Sequence, residues 1–173
     1  LSRLERGAID VALLSKPFLL PAGMTFEPVA EEPLSLITAQ EIGSNDPVDI
    51  LETNPFIRFN RDAVVGSLIE TWLQEHHIKV SESMELENLE AISSMVHANL
   101  GVSIVPTSCV ANRYALPLKR LPLGPDAPSR MLGLVYRSEH PKLRVIEEIH
   151  KALQSAIANN APMWQSLSDP GAT

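Results

Sequence analysis

Polar side chains follow several apolar segments of the chain, at positions where they could bind a small molecule. Ser15 follows the apolar run at 8–14, Arg58 and Asn60 lie at the end of the segment Phe-Ile-Arg-Phe, and Ser94 lies early in a helical pattern. In open α/β sheets, ligands bind beyond the carboxyl ends of strands, where helix N-termini present free N–H groups. Hydroxyl, amide and guanidinium groups at these positions therefore predict a site for a small anion or a polar metabolite.

A purely structural interpretation of the same residues stays open. Arg58 could form an ion pair with Asp62 or Glu52, and Ser93 and Ser94 could cap a helix or face solvent. Four glutamates between positions 82 and 90 are typical of a solvated face: Glu82, Glu85, Glu87 and Glu90.

Sequence patterns that mark common catalytic sites are absent from the chain. It contains no GxGxxG, GxxxxGK[ST], HExxH, GxSxG or SxxK motif. His76 and His77 are adjacent at a predicted helix end, where capping explains them better than metal binding. Cys109 is better explained as a small buried hydrophobic residue than as a nucleophile. We therefore expect no catalytic residues, no metal site and no cofactor.

The spacing of apolar residues predicts the strands and helices that position these side chains. Strands are predicted at 8–14, 34–38, 56–59, 80–86, 102–106 and 131–136. Amphipathic helices are predicted at 62–75, 88–100 and 141–157, with Asn88 as an N-cap. Residues 1–7 are typical of the end of a helix, 43–47 and 113–130 of loop or edge structure, and 161–173 of a flexible tail. Strands alternating with helices favour a parallel-sheet α/β protein.

Composition and charge restrict the classes of partner. The chain has 173 residues, a formal net charge of −7 and 45% hydrophobic residues, which is typical of a soluble globular protein. An acidic chain repels phosphate backbones, so we expect no direct binding of nucleic acid. A single cysteine excludes an intrachain disulfide and favours a cytoplasmic setting. No apolar run approaches the ~18 residues that a membrane-spanning helix needs.

Several segments, taken in order, resemble the effector-binding domain of LysR-type transcriptional regulators. The resemblance runs from about residue 1 to 158, and its most specific part is the helix–Gly–strand–Pro pattern at 88–106. Gly101 is expected to end that helix in a left-handed conformation. The pattern Gly-x-x-Asp-x-Ala at 7–12 supports the same family. Asn99 stands where the family often has glycine, which asparagine can replace at a helix end.

This resemblance implies a type 2 periplasmic-binding-protein-like fold, in which two α/β lobes are joined by two crossover strands. The first lobe would comprise 1–33 and 137–160, the second 39–130, and the crossovers 34–38 and 131–136. By the family's motif positions, an effector in the cleft between the lobes would contact Leu14, Ser15, Arg58, Phe59, Ser94, and Pro106 or the residue after it. The family supplies a further serine or threonine from a loop that has no counterpart here.

The resemblance also implies a function for the chain. It would sense a small polar or anionic effector in a bacterial cytoplasm, and a winged helix-turn-helix preceding Leu1 would bind DNA. We therefore expect an N-terminally truncated fragment with an incomplete first lobe, a homodimer or homotetramer when intact, and no contact with a membrane. Two alternatives stay open, a solute-binding protein of a transport system and an enzyme with the same two-lobed fold.

Overall fold

The computed structural model describes residues 1–108 and 115–159, which divide into two compact units. Unit 1 contains Leu1–Glu32, Ser108 and residues 131–159, and unit 2 contains Pro33–Thr107 and residues 115–130. Two strands carry the chain from one unit to the other: β2, Met24–Thr38, and β7, Ser129–Arg137. The lobe limits and crossover strands expected from the resemblance stay a prediction.

Unit 1 is built on antiparallel strands. Its first helix, α1 (Ser2–Glu5), is followed by Gly7, whose φ of +70° is the left-handed conformation expected after a helix. Strand β1 (Val11–Ser15) pairs antiparallel with β7, which lies between β1 and β2. Helix α5, Leu143–Asn159, follows β7. The expectation of a parallel sheet is therefore wrong for the β1–β7 pair, because these strands meet from distant parts of the chain instead of through a helical crossover.

Unit 2 contains the parallel strands. Strands β3 (Pro55–Phe59) and β4 (Ser81–Leu86) are parallel, with a bulge in β4 opposite the Phe56–Ile57 step. Strand β5 (Ser103–Pro106) runs beside β3, because the Ile57 amide donates to the Val102 carbonyl at 2.8 Å and the two chains form a parallel bridge there. The second half of β2 is antiparallel to β5 and to β6, Lys119–Pro122, so the expected parallel sheet is only part of this unit.

Two helices of unit 2 cover the two faces of β3. Successive side chains of a strand point to opposite faces, so Phe56 and Ile57 divide the core. Phe56 packs with residues of α3, Val64–Glu75, and of α2, Pro47–Thr53, in one buried cluster. Ile57 packs with residues of α4, Leu89–His97, in the other. The predicted apolar stripe of α3 is confirmed as its buried face, and that of α4 is confirmed except at Leu100, which follows the helix and is 50% exposed.

The ends of α4 show one confirmed expectation and one correction. The Asn88 side chain accepts from the Glu90 and Ala91 amides, as an N-cap does. At the other end Asn99, with a φ of +56°, adopts the left-handed conformation that we expected of Gly101. Gly101 instead has a φ of +155°, and a Cβ there would lie 2.5 Å from the Pro55 carbonyl oxygen, so glycine is needed for close approach to β3.

Three further differences concern element limits. Strand β2 begins at Met24, ten residues before the predicted strand. Helix α2 stands where only a loop boundary at Pro47 was expected, and β6 occupies part of the predicted loop or edge region. Cys109 and the predicted tail at 161–173 lie outside the described residues. Within the described residues, no helix is both long and apolar enough to cross a membrane.

Candidate functional site

The carboxyl ends of three neighbouring strands meet at one edge of unit 2, which we call the carboxyl edge. These ends are Phe59 of β3, Leu86 of β4 and Pro106 of β5. Helices α3 and α4 begin a few residues after β3 and β4, so their N-termini and free N–H groups also lie near this edge. Phe59 and Pro106, two of the residues expected in the site, therefore lie at this edge, and a polar binding site there stays a prediction.

A buried pair of hydroxyl groups lies beside the end of β5. The Thr107 hydroxyl donates to the Ser35 hydroxyl at 2.9 Å, and the Thr107 amide donates to the Pro33 carbonyl at 2.8 Å. Both side chains belong to buried residues. Since the Ser35 oxygen accepts in this pair, its own proton can be donated, and no residue in 1–108 or 115–159 accepts it. A ligand acceptor at the carboxyl edge would satisfy that donor.

The loop at 60–63, between β3 and α3, is held by main-chain and side-chain contacts. The Asn60 amide donates to the Leu86 carbonyl at 2.9 Å, and the Asn60 side-chain nitrogen donates to Glu87 Oε1 at 3.0 Å. Asn60 Oδ1 in turn accepts from the Asp62 amide at 2.8 Å. A Cβ on Gly66 would lie 1.9 Å from the Asn60 carbonyl oxygen, so the first turns of α3 rest directly on this loop. The loop therefore has a fixed shape at the carboxyl edge.

Arg58 is buried, and two carboxylates, one from α3 and one from β4, bind its guanidinium. Its side chain is 4% exposed, with Nη1 donating to Glu70 Oε2 at 2.6 Å and Nη2 donating to Glu82 Oε1. The guanidinium lies 5.5 Å from the centre of the Phe56 ring. The ion-pair partners are therefore Glu70 and Glu82, and the suggested partners Asp62 and Glu52 are wrong.

Glu82 connects Arg58 with the 60–63 loop. Both carboxylate oxygens of Glu82 accept from Arg61 Nη2, and Glu85 Oε1 accepts from the Arg61 amide at 3.0 Å. Hydrogen bonding from Arg58, together with the charges of Arg58 and Arg61, holds the pKa of the Glu82 carboxyl below its usual range. Glu82, Glu85 and Glu87 are exposed, as expected of a solvated face, and each also contacts the loop or Arg58.

The other residues expected in the site lie elsewhere. Ser94 lies on the side of α4 opposite the buried Ile92 and Val96, and its hydroxyl donates to the Glu90 carbonyl at 2.8 Å. Leu14 and Ser15 belong to β1 of unit 1, where they pair with Gly133 and Leu132 of β7. The structure thus brings Phe59 and Pro106 to one edge of unit 2, whereas the Arg58 guanidinium is paired with Glu70 and Glu82 and the Ser94 hydroxyl is bonded to its own helix.

The constellation most similar to a catalytic group is found in unit 1, around His140. His140 Nε2 lies 2.9 Å from Asp10 Oδ1, and its Nδ1 accepts from the Lys142 amide at 3.1 Å. An N–H donor at Nδ1 places the ring proton on Nε2, so both ring nitrogens are occupied. His140 therefore joins the start of β1 to the turn before α5 and has no nitrogen left to act as a base. Among the described residues, no group of acidic, histidine and cysteine side chains could hold a metal ion.

The predicted capping role of the adjacent histidines is confirmed for one of them. His76 Nδ1 lies 2.9 Å from the Trp72 carbonyl oxygen, and a carbonyl can only accept, so this nitrogen carries a proton. His77 follows with a φ of +55°, which ends the helical path of α3.

Comparison with known proteins decides the family. The profile described as the LysR substrate binding domain matches residues 1–158. The chain belongs to the LysR substrate-binding domain family. Among its relatives, an HTH-type transcriptional regulator CzcR of Bacillus cereus is 27% identical over 150 residues, which are 82% of this chain and 51% of CzcR. This LysR-family chain thus spans about half the length of the curated relatives it matches.

Solved structures agree with this family membership. A peroxide-bound OxyR mutant of Corynebacterium glutamicum superposes with a TM-score of 0.73 at 25% identity, over 91% of this chain and 52% of OxyR. The effector binding domain of QuiR in complex with shikimate superposes with a TM-score of 0.69 at 20% identity, over 91% of this chain and 74% of QuiR. The expected type 2 periplasmic-binding-protein-like fold of a LysR-family domain is therefore confirmed.

Thr107 was expected only as the residue after Pro106, and neither its pairing with Ser35 nor the partners of the glutamates were predicted from the sequence. Ser35 sits inside an apolar strand segment, and a lone polar residue at a strand position expected to be buried was the available signal. The glutamates gave no comparable signal, because their partners depend on how β3 and β4 pair in this LysR-family domain.

Proposed function

We propose that this chain is the effector-sensing part of a LysR-type transcriptional regulator, with a small polar or anionic metabolite as its ligand. The observation that carries the proposal is the carboxyl edge of unit 2, found in a chain that belongs to this family. Three strand ends, two helix N-termini and a buried hydroxyl pair converge there. The shikimate found on QuiR, a small hydroxylated acid, supports this class of ligand.

Within this proposal, the ligand meets unit 2 through Phe59, Pro106 and Thr107. Phe59 and Pro106 border the carboxyl edge, and Thr107 orients the Ser35 hydroxyl as a donor. The contacts expected from Leu14 and Ser15 belong to unit 1 and stay a prediction. The contact expected from Ser94 is the least supported, because its hydroxyl is bonded to its own helix.

We also propose functions for a full-length regulator that would contain this domain, as relatives such as CzcR do. DNA binding would belong to a winged helix-turn-helix N-terminal to this domain, and ligand binding would shift an existing conformational equilibrium. The protein would act in the cytoplasm as a homodimer or homotetramer, without a cofactor or catalysis. The occupied ring nitrogens of His140 support the absence of catalysis by that group.

The testing experiment is a thermal-shift screen of the chain against amino acids, sulfate, shikimate and other small carboxylates. A ligand that binds only the folded state raises the unfolding temperature by mass action. We expect Thr107→Val to weaken the best ligand by about fivefold or more and Thr107→Ser to retain it, because serine keeps the hydroxyl. Thr53→Val, at an exposed position of α2, is the control.

Two results would contradict the proposal. One is a ligand whose affinity is the same in Thr107→Val and the original chain, since the carboxyl edge would then not be involved. The other is conversion of the bound compound into a product, measured by NMR of the ligand, which would favour an enzyme.

A further inference from the structure

The contacts of Arg58 fix both ends of its guanidinium in unit 2. One carboxylate comes from α3 and the other from β4, so Arg58 ties Glu70 and Glu82 together across β3. Its remaining nitrogen, Nε, is buried and has no partner among the described residues. A guanidinium arranged in this way has no exposed N–H face for a further anion.

Glu82 links Arg58 to the 60–63 loop. Glu82 accepts from both Arg58 and Arg61, and the adjacent Glu85 accepts from the Arg61 main-chain amide. The bulge in β4 explains how glutamates three residues apart can both contact neighbouring residues of β3 and its loop. Five residues therefore form one connected cluster: Arg58, Arg61, Glu70, Glu82 and Glu85.

We propose that Arg58 is a positioning residue, which fixes the shape of the 60–63 loop through Glu82 and Arg61 and does not itself bind the effector. The loop carries Asn60 at the carboxyl edge and leads into α3, so its shape determines where the α3 N-terminus is presented. This inference rests on the proposed function for the identity of the edge as a ligand site. It gives a different role to Arg58, which was one of the residues expected to bind an anionic effector.

The two possible roles of Arg58, anion ligand and positioning residue, predict different effects of Glu82→Gln on anion binding. If Arg58 binds anions, removing a competing carboxylate frees it and strengthens the binding of an anion. If Arg58 positions the loop, the same change loosens the loop and creates no anion site. Arg58→Lys is the second variant, because lysine keeps the charge but cannot bridge two carboxylates with a planar fork.

Hydrogen exchange of the Arg61 and Asp62 amides, measured on the whole chain without ligand, is the first measurement. We expect Glu82→Gln and Arg58→Lys to raise their exchange rates about tenfold, with the Val102 amide in the neighbouring strand ladder unchanged. The control is Glu52→Gln, which removes the same charge from an exposed position on α2. Unchanged exchange in both test variants would overturn the positioning role.

The second measurement is the sulfate-dependent rise in unfolding temperature, with chloride at equal ionic strength as reference. We expect no larger sulfate effect in Glu82→Gln than in the original chain. A larger effect that disappears in the double variant with Arg58→Gln would overturn the proposal, because it would show Arg58 acting as an anion ligand. The exchange result needs no effector, so failure of the effector screen would count against the proposed function alone.

Discussion

Gly66 of helix α3 lies against the main-chain carbonyl of Asn60 so closely that a Cβ would sit 1.9 Å from the oxygen. The first turns of α3 are therefore seated on the loop that precedes them. Within that loop the Ala63 amide donates to the Asn60 carbonyl, and the Ser67 amide then donates to the Ala63 carbonyl as α3 begins. Gly66 thus links the start of α3 to the carboxyl edge.

Gly66→Ala is expected to destabilise the chain by about 1–3 kcal/mol, as overpacking does. Intrinsic helix propensity predicts the reverse, a gain of about 1 kcal/mol for alanine over glycine. Urea unfolding decides between the two effects. Gly43→Ala, at a position with nothing within 4 Å of the added Cβ, is the control. A more stable Gly66→Ala variant would contradict the close contact.

Asn99→Gly is expected to stabilise the chain by up to about 1 kcal/mol. Asn99 has a φ of +56°, a conformation that glycine adopts without a steric penalty. Ala98→Gly is the contrasting variant. Because the φ of Ala98 is negative, glycine there should only add flexibility to the unfolded chain and so lower the stability. The unfolding temperatures of the two variants should therefore change in opposite directions. Changes in the same direction would argue against a left-handed conformation at Asn99.

Asp10→Asn is expected to remove an acid-dependent part of the stability of unit 1. Hydrogen bonds from Lys142 and then His140 hold the pKa of the Asp10 carboxyl below its usual range. A carboxyl with a depressed pKa stabilises the fold above its unfolded pKa and loses that effect as pH falls through its folded pKa. The unfolding temperatures of the original chain and Asp10→Asn should therefore differ near pH 6, and the difference should shrink as the pH falls below about 4 and through the folded pKa.

Asp126→Asn provides the comparison for that pH series, since Asp126 lies in an exposed loop segment of unit 2. Its unfolding temperature should follow the original chain at every pH. If the unfolding temperatures of Asp10→Asn and the original chain differ by the same amount at pH 3 and pH 6, the ion pair with Lys142 does not cause the difference in stability.

Ser35 and Thr107 are expected to be coupled in stability. Thr107→Val leaves the buried Ser35 hydroxyl without its donor and should cost about 1–3 kcal/mol. Adding Ser35→Ala removes the unsatisfied partner, so the double variant should lose less than the sum of the two single variants. A double-mutant cycle by urea unfolding measures the coupling, and strict additivity would mean that the hydroxyls do not interact.

Local periodicity predicted the elements that bury one face within unit 2. The stripes of α3 and α4 recur at helical spacing, and their buried residues are those that the spacing selected. The Asp46–Pro47 pair carried a usable signal for α2 that was missed, because Asp46 caps the helix and proline occupies its first position. The N-terminal half of β2 was missed because Pro28 and its acidic neighbours interrupt the apolar pattern of a strand whose neighbour, β7, is distant in the sequence.

The site could be predicted only in outline. Strand ends were placed correctly, so Phe59 and Pro106 were found at the carboxyl edge. The environment of Arg58 could not be found in this way, because its partners depend on the β3–β4 register and on the bulge between them. Nearby acids in the sequence were the natural candidates, whereas Glu82 is 24 positions away.

The pairing of β1 with β7 has a consequence for how the chain is synthesised. Val11 pairs with Tyr136, more than a hundred residues later. At about 5–20 residues per second, β1 leaves the ribosome on the order of ten seconds before its partner strand exists. The contacts of β3, α3, β4 and α4 close over far shorter stretches and can form during that interval. Unit 1 is therefore completed after unit 2, and translation that stopped between β6 and β7 would leave β1 without its partner strand.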